Sequence, residues 1–489
     1  LVGSEMCIRD REKEGKLIYS YDGETVCIEA WGKDALRVRA TKNRSFTGRD
    51  WALEAKDAHA GEVEIFEDPS AKGGAFANMY EGTDTSYGKI TNGKLHAVID
   101  SGSVITFYHE DGRVLLKEHF RRLRDEESMP LNIMGREYSN GVGDNFRIVT
   151  RFVARKGEKI FGMGQYQQHE LDLKGCMLEL AQRNSQVSVP FYLSSIGYGF
   201  LWNNPGVGQV MFANNGTEWV TESGKEIDYL VIAGDTPAEI EENYMTLTGK
   251  PPMMPEYGMG FWQCKLRYWN QEQLLSVARK YKELGIPLDV IIVDFFHWTK
   301  QGEFKFDPKY WPDVPGMCRE LKEMGIQVVV SVWPTVDIYS ENFEEMKEKG
   351  YLVRTEHGVP LTMLCGGNEV FFDATNPDAR TYVWEKIKKN YYDQGAKLFW
   401  LDVAEPEYSV YDFKNYRYQL GSVQEVGNIY PKYYLKAFYD GMTAEGDTMP
   451  ISLIRSAWAG SAKYGALVWS GDIVSSFECF QRQVQAGLN

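Results

Sequence analysis

Two aspartates stand where their surroundings could do chemistry. Asp402 ends the apolar run Leu398-Phe399-Trp400-Leu401, and Pro406 disfavours helix immediately after Glu405. Asp472 ends "ALVWSGD", where Ser470 and Gly471 are small enough to let a ligand approach closely. One carboxylate acting as nucleophile or base, with a second acting as acid, is the equipment for opening a glycosidic bond. The bland alternative is that strand-end aspartates cap loops and following helices. For the pair, with aromatics beside both, the two readings stand level.

Other chemistries find less support. No G-x-x-x-x-G-K-[ST] is present, and "FGMGQYQ" and "YGMGFWQ" lack the third glycine of a dinucleotide fingerprint. The seven histidines are scattered, and His169-Glu170 has no second His four residues on. No metal and no cofactor is therefore expected. A net charge of −15 disfavours nucleic acid and anionic membranes as partners and suits a neutral ligand. With 13 Trp, 29 Tyr and 24 Phe there are rings to spare for a sugar-binding cleft, since a pyranose has an apolar face.

The elements that must position these residues follow from the periodicity. From residue 258 onward strands and helices alternate. Strands are expected at "GMGFWQC", "DVIIVD" (289–294), "VVVSVWP" (328–334), "KLFWLD" (397–402), "PISLIRS" (450–456) and "ALVWSGD" (466–472). Helices are expected at 270–285, about 315–324, from Asn376-Pro377 to Gly395, at about 430–442, and from near Ser475. Near-continuous apolar strands of this kind form a parallel sheet covered by helices. Their ends read Cys264, Asp294, Trp333-Pro334, Asp402, Arg455 and Asp472, so polar or aromatic residues recur at one edge, which favours a (β/α)8 barrel over an open sheet.

Residues 14–235 read differently, as many short strands with turn punctuation, hence a β-sandwich. "ALRVRAT" (35–41) alternates as a half-buried strand, and Asp111-Gly112 marks a hairpin. Thr236-Pro237-Ala238-Glu239 opens a helix that Gly249 should end, and "KPPMMPEYG" (250–258) is the natural boundary. Two domains are expected, 14–249 and 250–489. Residues 1–13 have no signal-peptide character and read as a non-native leader. The seven scattered cysteines (Cys7, Cys27, Cys176, Cys264, Cys318, Cys365, Cys479) contain no C-x-x-C pair, which points to a reducing, cytoplasmic compartment.

The stretches "GIPLDVIIVDFF", "FKFDPKYWPD", "VVVSVWP", "LFWLDVAEPE" and "RSAWAGSAKYGALVWSGD", in this order and spacing, resemble glycoside hydrolase family 31, the retaining α-glycosidases. The resemblance implies a galactose-mutarotase-like β-sandwich followed by a (β/α)8 barrel with about six of its eight units present. Such a fragment is expected to be unstable or inactive as written. The resemblance also implies Asp402 as nucleophile and Asp472 as acid/base. Asp472 should then be buried beside Trp469 and kept protonated by the Asp402 charge. Asp294 should bind sugar hydroxyls. Arg455, before the sixth strand, and Trp333 and Trp469 match further positions of the family pattern.

Around these, Trp400 is expected as a stacking surface or core residue, and Glu405 and Glu407 as site supports, ligands of outer hydroxyls or solvated charges. Cys264 reads as a packed thiol, and His297 and Trp298 as pocket walls. Gln165 and His169 lie on a sandwich loop that could reach the barrel mouth. In place of the W-x-D-M-N-E of the glucosidase branch, this chain has Trp400-Leu401-Asp402-Val403-Ala404-Glu405-Pro406-Glu407, and with "GFWQCKLRY" this looks like the α-xylosidase branch. Bulky Phe295, Phe296 or Trp298 could block a 6-hydroxymethyl group. The expected partner is an oligosaccharide or α-glycoside, with self-association left open. α-Glucosidase or α-galactosidase activity, a non-catalytic sugar-binding fragment and a lyase remain alternatives.

Overall fold

The computed structural model describes residues 11–21, 23–67, 86–100, 103–119, 121–123, 131–356, 368–408 and 411–489. Most of the expected leader, together with Cys7 and Cys365, lies outside the described residues. The chain divides into two compact units. One comprises Leu1–Ala181, Val189–Gly249 and Phe480–Asn489, the other Gln182–Ser188 and Lys250–Cys479. Among the described residues no helix is long and apolar enough to cross a membrane.

The first unit is a β-sandwich. Its largest sheet carries Glu24–Trp31, Ala35–Thr41, Ile227–Ala233 and Tyr198–Trp202 as successive antiparallel neighbours. A five-stranded sheet runs Arg136–Asn140, Phe146–Phe152, Gly216–Gly224, Gly208–Ala213, Met177–Leu180. The two sheets bury their rings against each other. Trp219 of the smaller sheet stacks on Trp202 and Phe200 of the larger, with centroids 5.5 and 5.2 Å apart. The hairpin at Asp111-Gly112 forms between Ile105–His109 and Val114–Lys117, and Gly112 takes the positive φ its turn needs. The helix Pro237–Thr248 is capped as its sequence demands. Glu239 N donates to Thr236 Oγ1 at 3.2 Å, and Glu239 Oε2 accepts from Asp235 N at 3.0 Å.

One expectation here is corrected. Ala35–Thr41 is not half-buried, because its charged residues do not face water. The Arg37 side chain is 0% exposed and donates to both oxygens of Asp228, at 2.9 and 2.7 Å. Alternation of apolar and charged residues marks two faces, and pairing allows the charged face to be buried as well.

The second unit is an incomplete barrel. Six strands lie in sequence order, each parallel to the next: Trp262–Gln263, Val290–Val293, Gln327–Val332, Leu398–Leu401, Ser452–Ile454 and Ala466–Val468. The helices Gln271–Glu283, Val314–Glu323, Pro377–Ile387 and Tyr430–Ala444 intervene between them. Asn270 caps the first of these by accepting from Gln273 N at 2.9 Å. Two small antiparallel pairs were not foreseen: Thr335–Asp337 with Glu369–Phe371, and Arg354–Thr355 with Tyr416–Arg417. Each has only two or three residues per strand, too short for a periodicity to register.

Candidate active site

Each barrel strand delivers one residue of interest at its C-terminal end. The first residues beyond the six strands are Cys264, Asp294, Trp333, Asp402, Arg455 and Trp469. Parallel register puts these six at one edge, where a barrel builds its site. Asp472 follows three residues after Trp469.

Asp402 is buried at the end of the strand Leu398–Leu401, whose ladder continues through Asp402 N to Val332 O at 3.1 Å. The backbone then turns sharply. Val403 has φ 55°, a region costly for a β-branched residue, and its N–H donates to Asp402 Oδ1 at 2.8 Å. Burial raises the Asp402 carboxyl to about 7, against the opposing pull of Arg455 and of the Val403 N–H.

Arg455 is the hub. Its side chain is 4% exposed and faces four carboxylates. Nε and Nη2 clasp Glu405 at 2.8 and 2.9 Å, and Nη2 also pairs with Glu407. Nη1 lies 3.3 Å from Asp402 Oδ1 and 3.3 Å from Asp472 Oδ2. Burial opposes its charge, but the carboxylates of Glu405 and Asp402 hold the guanidinium firmly protonated.

Several expectations change. The burial expected for Asp472 is not found: its side chain is 72% exposed, because Gly471 turns the chain outward at φ 73°. Glu405, expected to bind substrate, has a side chain with no exposed surface and both oxygens bound to Arg455, so it supports the guanidinium and meets no sugar hydroxyl. Cys264 is an exposed residue rather than a packed thiol, with Sγ donating to Asp294 Oδ2 at 3.6 Å. His297 is no pocket wall. It is buried, with Nδ1 donating to Asp294 O and Nε2 accepting from the Tyr391 hydroxyl, both at 2.9 Å. Burial lowers it to about 4, so it is a neutral prop behind Asp294.

The aromatics divide. Phe296 has φ 61° and is 50% exposed, turned outward after the buried Asp294. Phe295 stacks between it and Trp333, with centroids 4.3 and 5.3 Å away. Trp400 meets Trp469 edge to face at 5.2 Å. The indole N–H groups of Trp333 and Trp400 are buried and have no hydrogen-bond partner among the described residues. Gln165 and His169 belong to the sandwich unit, where His169 Nε2 accepts from Arg482 Nε at 3.2 Å.

The residue that sequence reasoning missed is Asn184. The segment Gln182–Ser188 interrupts the strand series but belongs to the barrel unit, and Asn184 Nδ2 donates to Asp472 Oδ2 at 2.6 Å. "QRNSQ" reads only as a polar turn, and nothing in its local pattern points to a residue 288 positions away. Among the described residues no group of three or more His, Cys, Asp or Glu could hold a metal ion.

Comparison with known proteins adds the family. Residues 251–489 match the glycosyl hydrolases family 31 TIM-barrel domain, and residues 25–210 the glycosyl hydrolase 31 N-terminal galactose mutarotase-like domain. A family 31 glucosidase of Pseudescherichia vulneris is 46% identical over 98% of this chain and 89% of its own length. Alpha-xylosidase A of Aspergillus niger is 30% identical over 95% of this chain and 66% of its own. Among solved structures, an alpha-xylosidase from a soil metagenome, complexed with xylose, is 50% identical with a TM-score of 0.91, covering 98% of this chain and 70% of that one. Both domain models, matched in succession, and a relative 46% identical over 98% of this chain make the chain a member of glycosyl hydrolase family 31.

Proposed function

We propose that this protein is a retaining α-glycoside hydrolase that releases a terminal α-xylosyl unit. The observation that carries the reading is the Nη1 atom of Arg455, 3.3 Å from a carboxylate oxygen of Asp402 and 3.3 Å from one of Asp472. Those two oxygens can be no further apart than the two legs laid end to end. That bound admits the roughly 5–5.5 Å of a retaining pair, and the choice of a retaining over an inverting course rests on the family.

In this reading Asp402 attacks the anomeric carbon. A bond forms between its oxygen and that carbon as the bond to the glycosidic oxygen breaks, and Asp472 gives its proton to the departing oxygen. Water then attacks the glycosyl-enzyme while Asp472 takes a proton back, which releases the sugar and frees Asp402. Arg455 opposes the burial that raises Asp402, so that part of the nucleophile is ionised at neutral pH. Buried Asp294 and the indole N–H groups of Trp333 and Trp400 offer partners for sugar hydroxyls. In the same reading Phe296 is the residue that crowds a 6-hydroxymethyl group, and similarity to two alpha-xylosidases supports that sugar.

An α-glucosidase is the second reading, favoured by the name of the 46% identical relative. One side-chain group in an apolar pocket decides only about 1–3 kcal/mol, so a preference rather than an absolute choice is expected. The division into a sandwich, 14–249, and a catalytic barrel, 250–489, belongs to the same proposal, with two exceptions: Gln182–Ser188 group with the barrel unit and Phe480–Asn489 with the sandwich unit. So does a cytoplasmic location, supported by the thiols of Cys27, Cys176, Cys264 and Cys318, which form no disulfide among the described residues. The test is turnover of aryl α-xyloside against aryl α-glucoside by the full-length protein beside Asp402→Ala. Turnover of the xyloside that disappears in the variant is expected, and activity surviving Asp402→Ala removes the mechanism.

A further inference from the structure

We infer that Asn184 is a positioning residue for Asp472, holding one oxygen of that carboxylate so that the other faces the leaving group. This rests on the assignment of Asp472 as the acid/base above. Every hydrogen-bonding site of the Asn184 amide is taken. Nδ2 donates to Asp472 Oδ2 at 2.6 Å and to Glu407 Oε1 at 3.3 Å. Oδ1 accepts from Asp472 N at 3.4 Å and from Ser185 Oγ at 3.2 Å. Carboxylate oxygens only accept, so the amide has one orientation: its nitrogen faces the acids. Asp472 is thus gripped at its backbone N–H and at one carboxylate oxygen by a single side chain, and the one Ser185 hydroxyl proton is shared between Asn184 Oδ1 and Asp472 O, the latter at 3.1 Å.

The segment that presents Asn184 is itself fixed. Gln182 is buried. Its Nε2 donates to Ser188 O at 2.9 Å and to Ala457 O at 3.0 Å, while its Oε1 accepts from Ser188 N at 2.8 Å and from Ser456 Oγ at 2.9 Å. Ser456 and Ala457 directly follow Arg455, so the anchor of the segment and the hub of the site share one stretch of backbone. On the other side, a Cβ added at Gly471 would lie 2.7 Å from Ser185 Cα, and φ there is 73°. Glycine at 471 lets the segment close on the residue before the acid/base. Asp472 is largely exposed, so packing does not hold it. Asn184 and Arg455 do, both on Oδ2, and Oδ1, which has no hydrogen-bond partner among the described residues, is left to carry the transferred proton.

The test uses leaving groups. An alkyl α-xyloside needs its departing oxygen protonated, whereas α-xylosyl fluoride does not. Asn184→Ala in the full-length protein is expected to lower kcat/KM on the alkyl xyloside about tenfold or more, a part of what general acid catalysis supplies, and on the fluoride by less than about threefold. Asn184→Asp, with its added negative charge beside Asp472, is expected to move the basic limb of the pH profile upward. That decides the matter if the alanine variant does not fold. Equal losses on both substrates, or an unmoved limb, mean a merely structural residue and overturn the inference. Asp472→Ala is the control. If it discriminates the two substrates and Asn184→Ala does not, the inference alone fails. If Asp472→Ala does not discriminate, the acid/base assignment and the inference fall together.

Discussion

Two buried arginines, one in each unit, show how a structural charge cluster differs from a chemical one. Arg37 of the sandwich is 0% exposed and pairs with Asp228 and Asp50, while its neighbour Arg39 shares Glu29 with Lys16. These three cations meet three anions, and a fourth buried carboxylate beside them, Glu226, is held by Thr47 N and Thr47 Oγ1, both at 2.8 Å. Arg455 of the barrel is as deeply buried, yet it faces four carboxylates, Asp402, Glu405, Glu407 and Asp472. Burial charges a high cost for unpaired ions, so a balanced cluster can be scaffold. A surplus of anions in low dielectric forces at least one carboxyl to hold a proton near neutrality, as burial makes Asp402 do at about 7. Surplus alone is not the mark of a site, since buried Arg136 of the sandwich also faces two carboxylates, Glu24 and Glu118; the Arg455 cluster differs in standing at the edge where the barrel strands end.

The largest expected effects test that distinction directly. Arg37→Ala and Arg455→Ala should each cost about 3–5 kcal/mol in urea unfolding, because each strands buried carboxylates. Neutral replacement of a pair separates them. Arg37→Met with Asp228→Leu should recover most of the stability and leave turnover of an aryl α-glycoside within about twofold, as an apolar pair of similar volume often does. Arg455→Met with Glu405→Leu should recover stability but leave turnover at least about 100-fold down, the scale of a lost electrostatic partner in a site. Full activity in that second double variant would erase the comparison.

A smaller effect concerns the stability slope of Asp402. Folded Asp402 keeps its proton up to about pH 7, whereas in the unfolded chain it is released near 3.9. Between those values the folded state binds the extra proton. This group's contribution to stability is therefore full below about pH 4, falls as pH rises to 7, and stays low above. Asp402→Asn removes the slope. It should abolish turnover yet be more stable than the parent at pH 8, by up to about 4 kcal/mol, in urea titrations at pH 5 and 8. Burial raises Asp228 too, so Asp228→Asn should flatten a slope of the same sign, but it also loses the charge-assisted bonds from Arg37 and should be net destabilised.

Much of this was legible in the sequence, and the limits have physical causes. The six barrel strands and their helices could be read because buried parallel strands are apolar runs, and Asp402, Asp294 and Arg455 could be placed because they end those runs. The exposure of Asp472 could not, since it depends on how Gly471 turns three residues past a strand. The bidentate tie of Glu405 to Arg455 spans 50 residues, and that of Asn184 to Asp472 spans 288. No local periodicity carries such contacts. The alternation in Ala35–Thr41 was read correctly as a strand and wrongly as a solvent face, because pairing partners lie on other strands.

The smallest predicted effect sharpens the comparison most, because it leaves the cluster assembled. Glu405 acts on Asp402 in two ways. It is a like charge, and it neutralises the guanidinium that would otherwise favour the Asp402 anion. Glu405→Gln removes both influences while keeping one acceptor for Arg455. Arg455 then acts on Asp402 with less of its charge cancelled, and the Asp402 carboxyl should fall. The acid limb of kcat/KM, which reports ionisation of Asp402 in the free protein, should move to lower pH by about one unit. Stability should drop by about 1–3 kcal/mol from the lost charge-assisted bond. In the sandwich, Asp228→Asn makes the same chemical change beside Arg37 and should cost similar stability with no movement of the limb. A limb that stays put in Glu405→Gln, or moves to higher pH, would mean that the surplus of acids around Arg455 does not set the protonation of Asp402.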